Sequence, residues 1–258
     1  MSVFAVVSDI HGNLEAIQAV LDDIKKQNIS EIFCLGDTVG YGADPVKCME
    51  VARNFKVALM GNHEWAILNE PLGFNASARQ AITWAKGQLI PKWYSLGTTI
   101  RRWRRLKRLP KTYKSDGFLF VHGSPRSPIE EYILPIDVDE TAGECSPKLK
   151  ECFSITEWIT FVGHSHTPGV YTEDPKYLSL EDINNRIKIE KDKKYVVNVG
   201  SVGQPRDRNW RSCYITMDMD TNEITYHRIE YDVLKAAAKI KRTGKMDDSL
   251  SVRLTLGA

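Results

Sequence analysis

At 258 residues, with 42% apolar and 26% charged side chains, the chain can bury a full core, which excludes a disordered or fibrous class. Lys+Arg 35 against Asp+Glu 33 gives a formal charge of +2, so bulk electrostatics select neither a nucleic acid nor a membrane as partner. No apolar run approaches the roughly 20 residues that span a bilayer, and Met1 to Asp9 lacks the basic start of a secretory signal, so a cytoplasmic protein is expected.

Val3 to Ser8 is a β-branched apolar run, and Leu14, Ile17, Val20, Leu21 and Ile24 then recur at helical spacing, which predicts strand, turn and helix over 14–24. Ile32 to Leu35 predicts a second strand, Pro45 to Asn54 a helix with its proline in the first turn, and Val57 to Met60 a third strand. Asp9 and Asp37 are 28 residues apart and Asp37 and Asn62 are 25, close to one crossover unit of roughly 30 residues between parallel neighbours. Their polar clusters are therefore expected side by side at the carboxyl ends of the strands, where open α/β sheets hold ligands.

Glu64 to Lys114 shows no good strand, and Ala76–Leu89 and Leu96–Leu109 read as helices, so a helical cap-like insertion at about 65–114 is expected over or beside the site. Strands follow at Phe118–Val121, Ile159–Val162 and Tyr195–Val199. Ser212–Asp218 and Glu223–Tyr231 flank the turn Asp220-Thr221-Asn222 as a hairpin, which implies a second sheet. Asp232–Arg242 reads as the closing helix, ended at Gly244. No repeat or linker divides the chain, so residues 1–258 are expected to form a single domain. Cys34, Cys48, Cys145, Cys152 and Cys213 are scattered without CxxC spacing and read as reduced thiols.

Five short polar segments hold five of the six histidines: Asp9-Ile10-His11-Gly12-Asn13, Gly36-Asp37, Gly61-Asn62-His63-Glu64, His122-Gly123-Ser124 and Gly163-His164-Ser165-His166. Asp and Asn oxygens mixed with imidazole nitrogens, without thiolates, suit Mn²⁺, Fe²⁺, Co²⁺, Ni²⁺ or Zn²⁺ and are too nitrogen-rich for Ca²⁺ or Mg²⁺. If His164-x-His166 stays extended, its side chains alternate and serve two ions, not one. One aspartate shared between two ions would hold them about 3.5–4 Å apart, the separation that clamps a phosphoryl group. His227 lies outside every motif and is read as structural.

The ordered set DxHGN, GD, GNHE, HG and GHSH, from Asp9 to His166, resembles the calcineurin-like metallophosphoesterase superfamily. Similarity continues through Asn198-Val199-Gly200-Ser201-Val202-Gly203-Gln204-Pro205-Arg206-Asp207, and the whole chain is similar to small prokaryotic phosphoesterases related to diadenosine tetraphosphatases. The resemblance implies an α/β fold, a four-layer α-β-β-α sandwich of two mixed sheets. It implies that Asp9, His11 and His166 bind one divalent ion, that Asp37 bridges, and that Asn62, His122 and His164 bind the second, with Mn²⁺ the expected metal. Two such ions with Asp9, Asp37 and a bridging hydroxide leave about +1 to receive a phosphate anion. That hydroxide would attack phosphorus in line while His63 hydrogen-bonds or protonates the leaving oxygen. Asn13 and Arg206 are candidate substrate ligands, Arg206 through a bidentate fork. A salt bridge to Asp207 or another acid is the alternative for Arg206, and Arg126 has the same two readings.

Protein phosphatases of the superfamily carry GDYVDRG where this chain has Gly36-Asp37-Thr38-Val39-Gly40-Tyr41-Gly42. The aspartate that orients the catalytic histidine and the arginine that binds phosphate are both absent, which counts against a phosphoprotein substrate. Glu64 stands where many small phosphoesterases have Asp. The run Arg101-Arg102-Trp103-Arg104-Arg105-Leu106-Lys107-Arg108 joins a cationic face to a stripe of Leu96, Ile100, Trp103 and Leu106. It is either a solvated face over a docked stripe or a cationic cap that attracts polyphosphate nucleotides or nucleic acid. The expected activity is dinuclear-metal phosphoester hydrolysis, by a phosphodiesterase or nucleotide polyphosphate hydrolase. The alternatives are a general phosphomonoesterase, a nuclease, and a non-catalytic scaffold, the last opposed by His63 and a full set of seven ligands.

Overall fold

Alternation in the first strand sets the layers. In the computed structural model, which describes residues 3–71, 73–95 and 97–258, β1 (Val3–Val7) turns Phe4 and Val6 into one core and Ala5 and Val7 into another. The chain continues through α1 (Leu14–Lys26), β2 (Ile32–Cys34), α2 (Pro45–Ala52), β3 (Val57–Ala58), α3 (Asn62–Leu68), α4 (Ala76–Leu89) and α5 (Gly97–Leu106). Next come β4 (Thr112–Ser115), β5 (Phe118–Val121), the short pair β6 (Val138–Asp139) and β7 (Glu144–Cys145), α6 (Pro147–Ile155) and β8 (Ile159–Val162). It finishes with β9 (Gly169–Thr172), β10 (Lys176–Leu178), β11 (Arg186–Lys188), β12 (Tyr195–Asn198), β13 (Ser212–Asp218), β14 (Glu223–Ile229), α7 (Val233–Arg242) and α8 (Ser249–Leu256).

Two six-stranded sheets result, in the orders β11-β14-β13-β1-β2-β3 and β10-β9-β12-β8-β5-β4. Within the first, β1, β2 and β3 are parallel and β13 returns antiparallel beside β1. Within the second, β5, β8 and β12 are parallel, with β4 and β9 antiparallel to them. Phe4, Phe33, Phe118, Phe120, Phe161 and Val197 fill the space between the sheets, each buried ring contributing about 1.5–3 kcal/mol. On the outer face of the first sheet, Ala5 and Val7 meet α1 (Ile17, Val20, Ile24), α7 (Ile240) and α8 (Leu250, Leu254). On the outer face of the second, Leu119, Val121 and Val162 meet α6 through Leu149, Cys152 and Phe153. Helix, sheet, sheet, helix is the four-layer α/β sandwich expected.

Several expectations are corrected. The segment expected to lack strands ends in β4, an edge strand of alternating exposed and half-buried residues, Thr-Tyr-Lys-Ser, with no apolar run to read. The helix over Val233–Arg242 is not the last, because α8 follows, running from Asp248 to a left-handed Gly257. Asn62 and His63, expected where β3 ends, form the first turn of α3. Helices α3 to α5 pack beside α2 through Val39, Met49, Ile67, Ile82 and Leu106. Leu96, placed in the apolar stripe of α5, lies outside the described residues.

Candidate metal centre

The carboxyl ends of β1, β2, β3, β5 and β8 converge, and each candidate ligand stands where the chain leaves one of them. The departures are sharp. Asp9 (φ 55°), His11 (49°), Asp37 (50°), His164 (65°) and His166 (60°) all adopt the left-handed region, which costs an L-residue roughly 1–2 kcal/mol. His164-x-His166 is therefore not extended. Its side chains still part toward different partners, because two left-handed turns, not strand alternation, separate them.

His166 Nε2 lies 3.2 Å from Asp9 Oδ1 and 3.0 Å from His11 Nε2. A second group forms around His122 Nε2, which is 3.0 Å from Asn62 Oδ1, 3.1 Å from His164 Nδ1 and 3.5 Å from Asp37 Oδ2. Asp37 Oδ2 is also 3.7 Å from His11 Nε2, so one carboxylate oxygen faces both groups. The far ring nitrogens donate to backbone carbonyls: His11 Nδ1 to Val39, His166 Nδ1 to Gln204 and His164 Nε2 to Glu130. That fixes each tautomer with its lone pair toward the cluster. His11 and His166 then aim two lone pairs at each other across 3.0 Å, and the buried Asp9 Oδ1 has no hydrogen-bond donor. Such a donor set fits cations and is unfavourable without them.

Charge points the same way. Burial lowers the pKa of His11, His63, His164 and His166, and drives His122 down to about 4, so the imidazoles are neutral at pH 7. Burial, then the charges of Glu64 and Asp9, raises Asp37 well above the usual carboxylate range. Burial also works to raise Asp9, but the surrounding histidines, His166 first, outweigh it and hold that carboxyl well below its ordinary value.

Glu64 does not face His63. Its Oε2 accepts the backbone N–H groups of Asp37 (2.8 Å) and Gly61 (2.9 Å), and its Oε1 that of Val39 (3.0 Å). Burial pushes Glu64 up to about 7 against the pull of these donors. The carboxylate ties the loop after β2 to the start of α3, where the His63 N–H donates to Asp37 Oδ1 at 2.8 Å. A Cβ on Gly61 would fall 2.1 Å from that same oxygen, so only glycine lets the helix start sit on Asp37.

A pocket of about 440 Å³ opens over Asp37, Asn62, His63, His164 and His166, walled by Tyr41, Phe74, Tyr132, Arg206 and Arg253. Of the insertion, residues 73–75 and Ala78 reach it and α5 does not. No residue of the cationic run lines this pocket. Arg102 pairs with Glu50 at 2.8 Å, Arg105 donates to the Ala52 carbonyl, and Arg101, Arg104 and Arg108 line a separate groove beside β3. Asn13 does not line this pocket. Its Oδ1 caps α1 at Ala16 N, and its Nδ2 donates to the Gly203 carbonyl and the Tyr231 hydroxyl, so the amide is fully engaged below the pocket. Arg126 takes the salt-bridge alternative, with Glu131 and Glu151. Asp207 pairs with Arg228, not with Arg206. His227 bonds Thr216 and stacks on Tyr214, a structural role. Phe74, Tyr132 and Arg253 were not singled out from the sequence. For Arg253 the available signal was the helix bounded by Asp248 and Gly257.

A family model described as calcineurin-like phosphoesterase matches residues 2–198. The chain is 39% identical over 264 residues to an uncharacterized protein of Methanocaldococcus jannaschii, MJ0912, across 99% of this chain and 98% of that one. The crystal structure of a metallophosphoesterase from Sphaerobacter thermophilus superposes with a TM-score of 0.79 at 31% identity, covering 99% of both chains. Protein PH1004 of Pyrococcus horikoshii shares the fold, with a TM-score of 0.75 at 20% identity over 100% of this chain and 99% of that one. With the family model, the full-length relatives and the convergent ligand set in agreement, the chain belongs to the calcineurin-like phosphoesterase family and is a hydrolase of phosphate esters.

Proposed function

We propose that the protein is a phosphodiesterase or nucleotide polyphosphate hydrolase working with two divalent ions, Mn²⁺ foremost. The observation that carries this reading is Asp37 Oδ2, which stands 3.7 Å from His11 Nε2 and 3.5 Å from His122 Nε2 and so is shared by two donor sets. Asp9, His11 and His166 would hold one ion with Asp37, and Asn62, His122 and His164 the other. Bound there, the ions would supply an activated water and polarise the phosphoryl oxygens.

The chain's own residues do the rest. His63 also stands close to His11 and Asp37, its Nε2 3.9 Å from Asp37 Oδ2, and lines the pocket; assigned to neither ion, it hydrogen-bonds or protonates the leaving oxygen. Arg206 binds substrate anion, and Tyr41, Phe74 and Tyr132 leave an apolar wall for the second substituent of a diester or for a nucleoside. The groove of Arg101, Arg104 and Arg108 shares no lining residue with this pocket, which argues against nucleic acid as the substrate. Five buried free cysteines suit a reducing, cytoplasmic compartment, and no helix of the described residues is long and apolar enough to cross a membrane.

Hydrolysis of a chromogenic phosphodiester, its matching monoester and diadenosine tetraphosphate by the Mn²⁺-loaded protein tests the reading. Preference for the diester or the dinucleotide supports it. Preference for the monoester would replace it with a phosphomonoesterase, and no turnover of any of the three would favour a scaffold. Asp37→Ala is expected to abolish turnover together with metal binding.

A further inference from the structure

Arg206 and Arg253 reach one pocket from separate parts of the chain, the loop after β12 and the last helix, α8. Both lie beyond residues 2–198, the span that the family model matches. Arg206 Nη2 donates to Gln204 Oε1 at 3.0 Å and to the Tyr41 hydroxyl at 3.5 Å, its guanidinium faces the Tyr41 ring at 5.9 Å, and its buried Nε has no partner among the described residues. Arg253 Nε donates to a backbone oxygen of Ala258, the last residue of the chain, at 2.8 Å. Among the described residues, neither arginine pairs with an Asp or Glu carboxylate, although seven ion pairs engage other arginines. Burial, then the charge of Arg206, lowers the pKa of Arg253, so the two cations lie close enough to feel one another.

We propose that Arg206 and Arg253 form a second anion subsite, so that the substrate carries a further phosphate beside the one that is cut. The inference rests on the phosphoester-hydrolase reading and narrows it from simple diesters to nucleotides with two or more linked phosphates. Two half-buried guanidiniums without Asp or Glu partners among the described residues gain most from a ligand that accepts from both forks, and a phosphate does so with its non-bridging oxygens. A ligand with one phosphate, held at the metal cluster, leaves the pair without an anion from the substrate. Tyr132 adds a place for the nucleoside: its ring stacks on His164 at 3.7 Å and remains 42% exposed, with its outer face toward the pocket mouth.

The test is equilibrium binding, not turnover. The Mn²⁺-loaded full-length protein is titrated calorimetrically with α,β-methylene-ADP, which has two linked phosphates, and with AMP, which has one. Wild type is expected to favour the two-phosphate ligand by about tenfold or more, and Arg253→Ala and Arg206→Ala to reduce that preference to less than about threefold, with Arg253→Lys between. Equal weakening of both ligands by the variants, or no preference in wild type, would overturn the subsite. Failure of wild type to hydrolyse any phosphoester would sink the broader reading instead, and the two results are separable because binding is read without chemistry.

Discussion

His63 turns its Nδ1 toward the bare Cα of Gly40, where an added Cβ would fall 2.2 Å from that nitrogen. The Asp37 carboxylate lies on the Nε2 side at 3.9 Å, and the buried Nδ1 has no hydrogen-bond partner among the described residues. Packing positions it instead: ring centroids of Tyr41, His11 and Phe74 lie at 4.6, 4.7 and 5.2 Å. The Gly40 and Tyr41 that replace the polar pair of the protein phosphatases thus form the wall and floor against which His63 rests.

Gly40→Ala is expected to displace the His63 ring and lower turnover by about 10²-fold, since small misplacements at a reacting centre cost that much. Gly40 also sits at φ +112°, so a stability loss above about 1 kcal/mol accompanies it. Steady-state kinetics with metal content measured alongside checks this; full metal loading with near-wild-type turnover would show that His63 orientation does not matter.

The left-handed ligand positions predict an unusual ordering of variants. At His11 (φ 49°), glycine relieves backbone strain that alanine keeps. In metal-free protein, His11→Gly is expected to be about 1 kcal/mol more stable than His11→Ala, the reverse of the usual order, by urea denaturation. Alanine equal to or above glycine would mean that the strain is absent.

Acid should unfold the metal-free protein early. The five site histidines are held neutral by burial, His122 to about 4 from an ordinary 6.5, so between those values the unfolded chain binds more protons than the folded one. Their stabilising contribution is therefore complete above pH 6.5 and is lost as pH falls from there toward 4. Tm measured against pH on chelator-treated protein should drop across this window, and a flat Tm down to pH 4.5 would contradict buried neutral imidazoles.

The groove beside β3 yields a contrasting expectation. Arg101→Glu with Arg104→Glu should leave KM for diadenosine tetraphosphate within about twofold of wild type at physiological ionic strength, because neither side chain lines the metal pocket and screening limits its reach to about 8 Å. A tenfold rise in KM would show that substrate extends to this groove.

Local chemistry made much of this protein legible. The alternation of β1, the spacing of Leu14, Ile17, Val20 and Ile24, and the proline at the head of α2 are properties of short segments, so the β-α-β-α-β opening follows from them. The residue types at Asp9, Asp37, Asn62, His122 and His164 are likewise local, and the strand ends that carry them had to converge once the strands were parallel.

What tertiary structure decided involves partners far apart in sequence. Asn13 looks like a free amide beside a ligand, yet Gly203 and Tyr231 take its donors, 190 and 218 residues away. His164 and His166 part company through left-handed turns that alternation does not foresee. Arg253 reaches the pocket only because α8 folds back onto α7, and the orientation of His63 depends on which rings close around it. Periodicity and turn chemistry act over a few residues and can be read from the chain, whereas the company each side chain keeps is set by which distant surfaces bury one another.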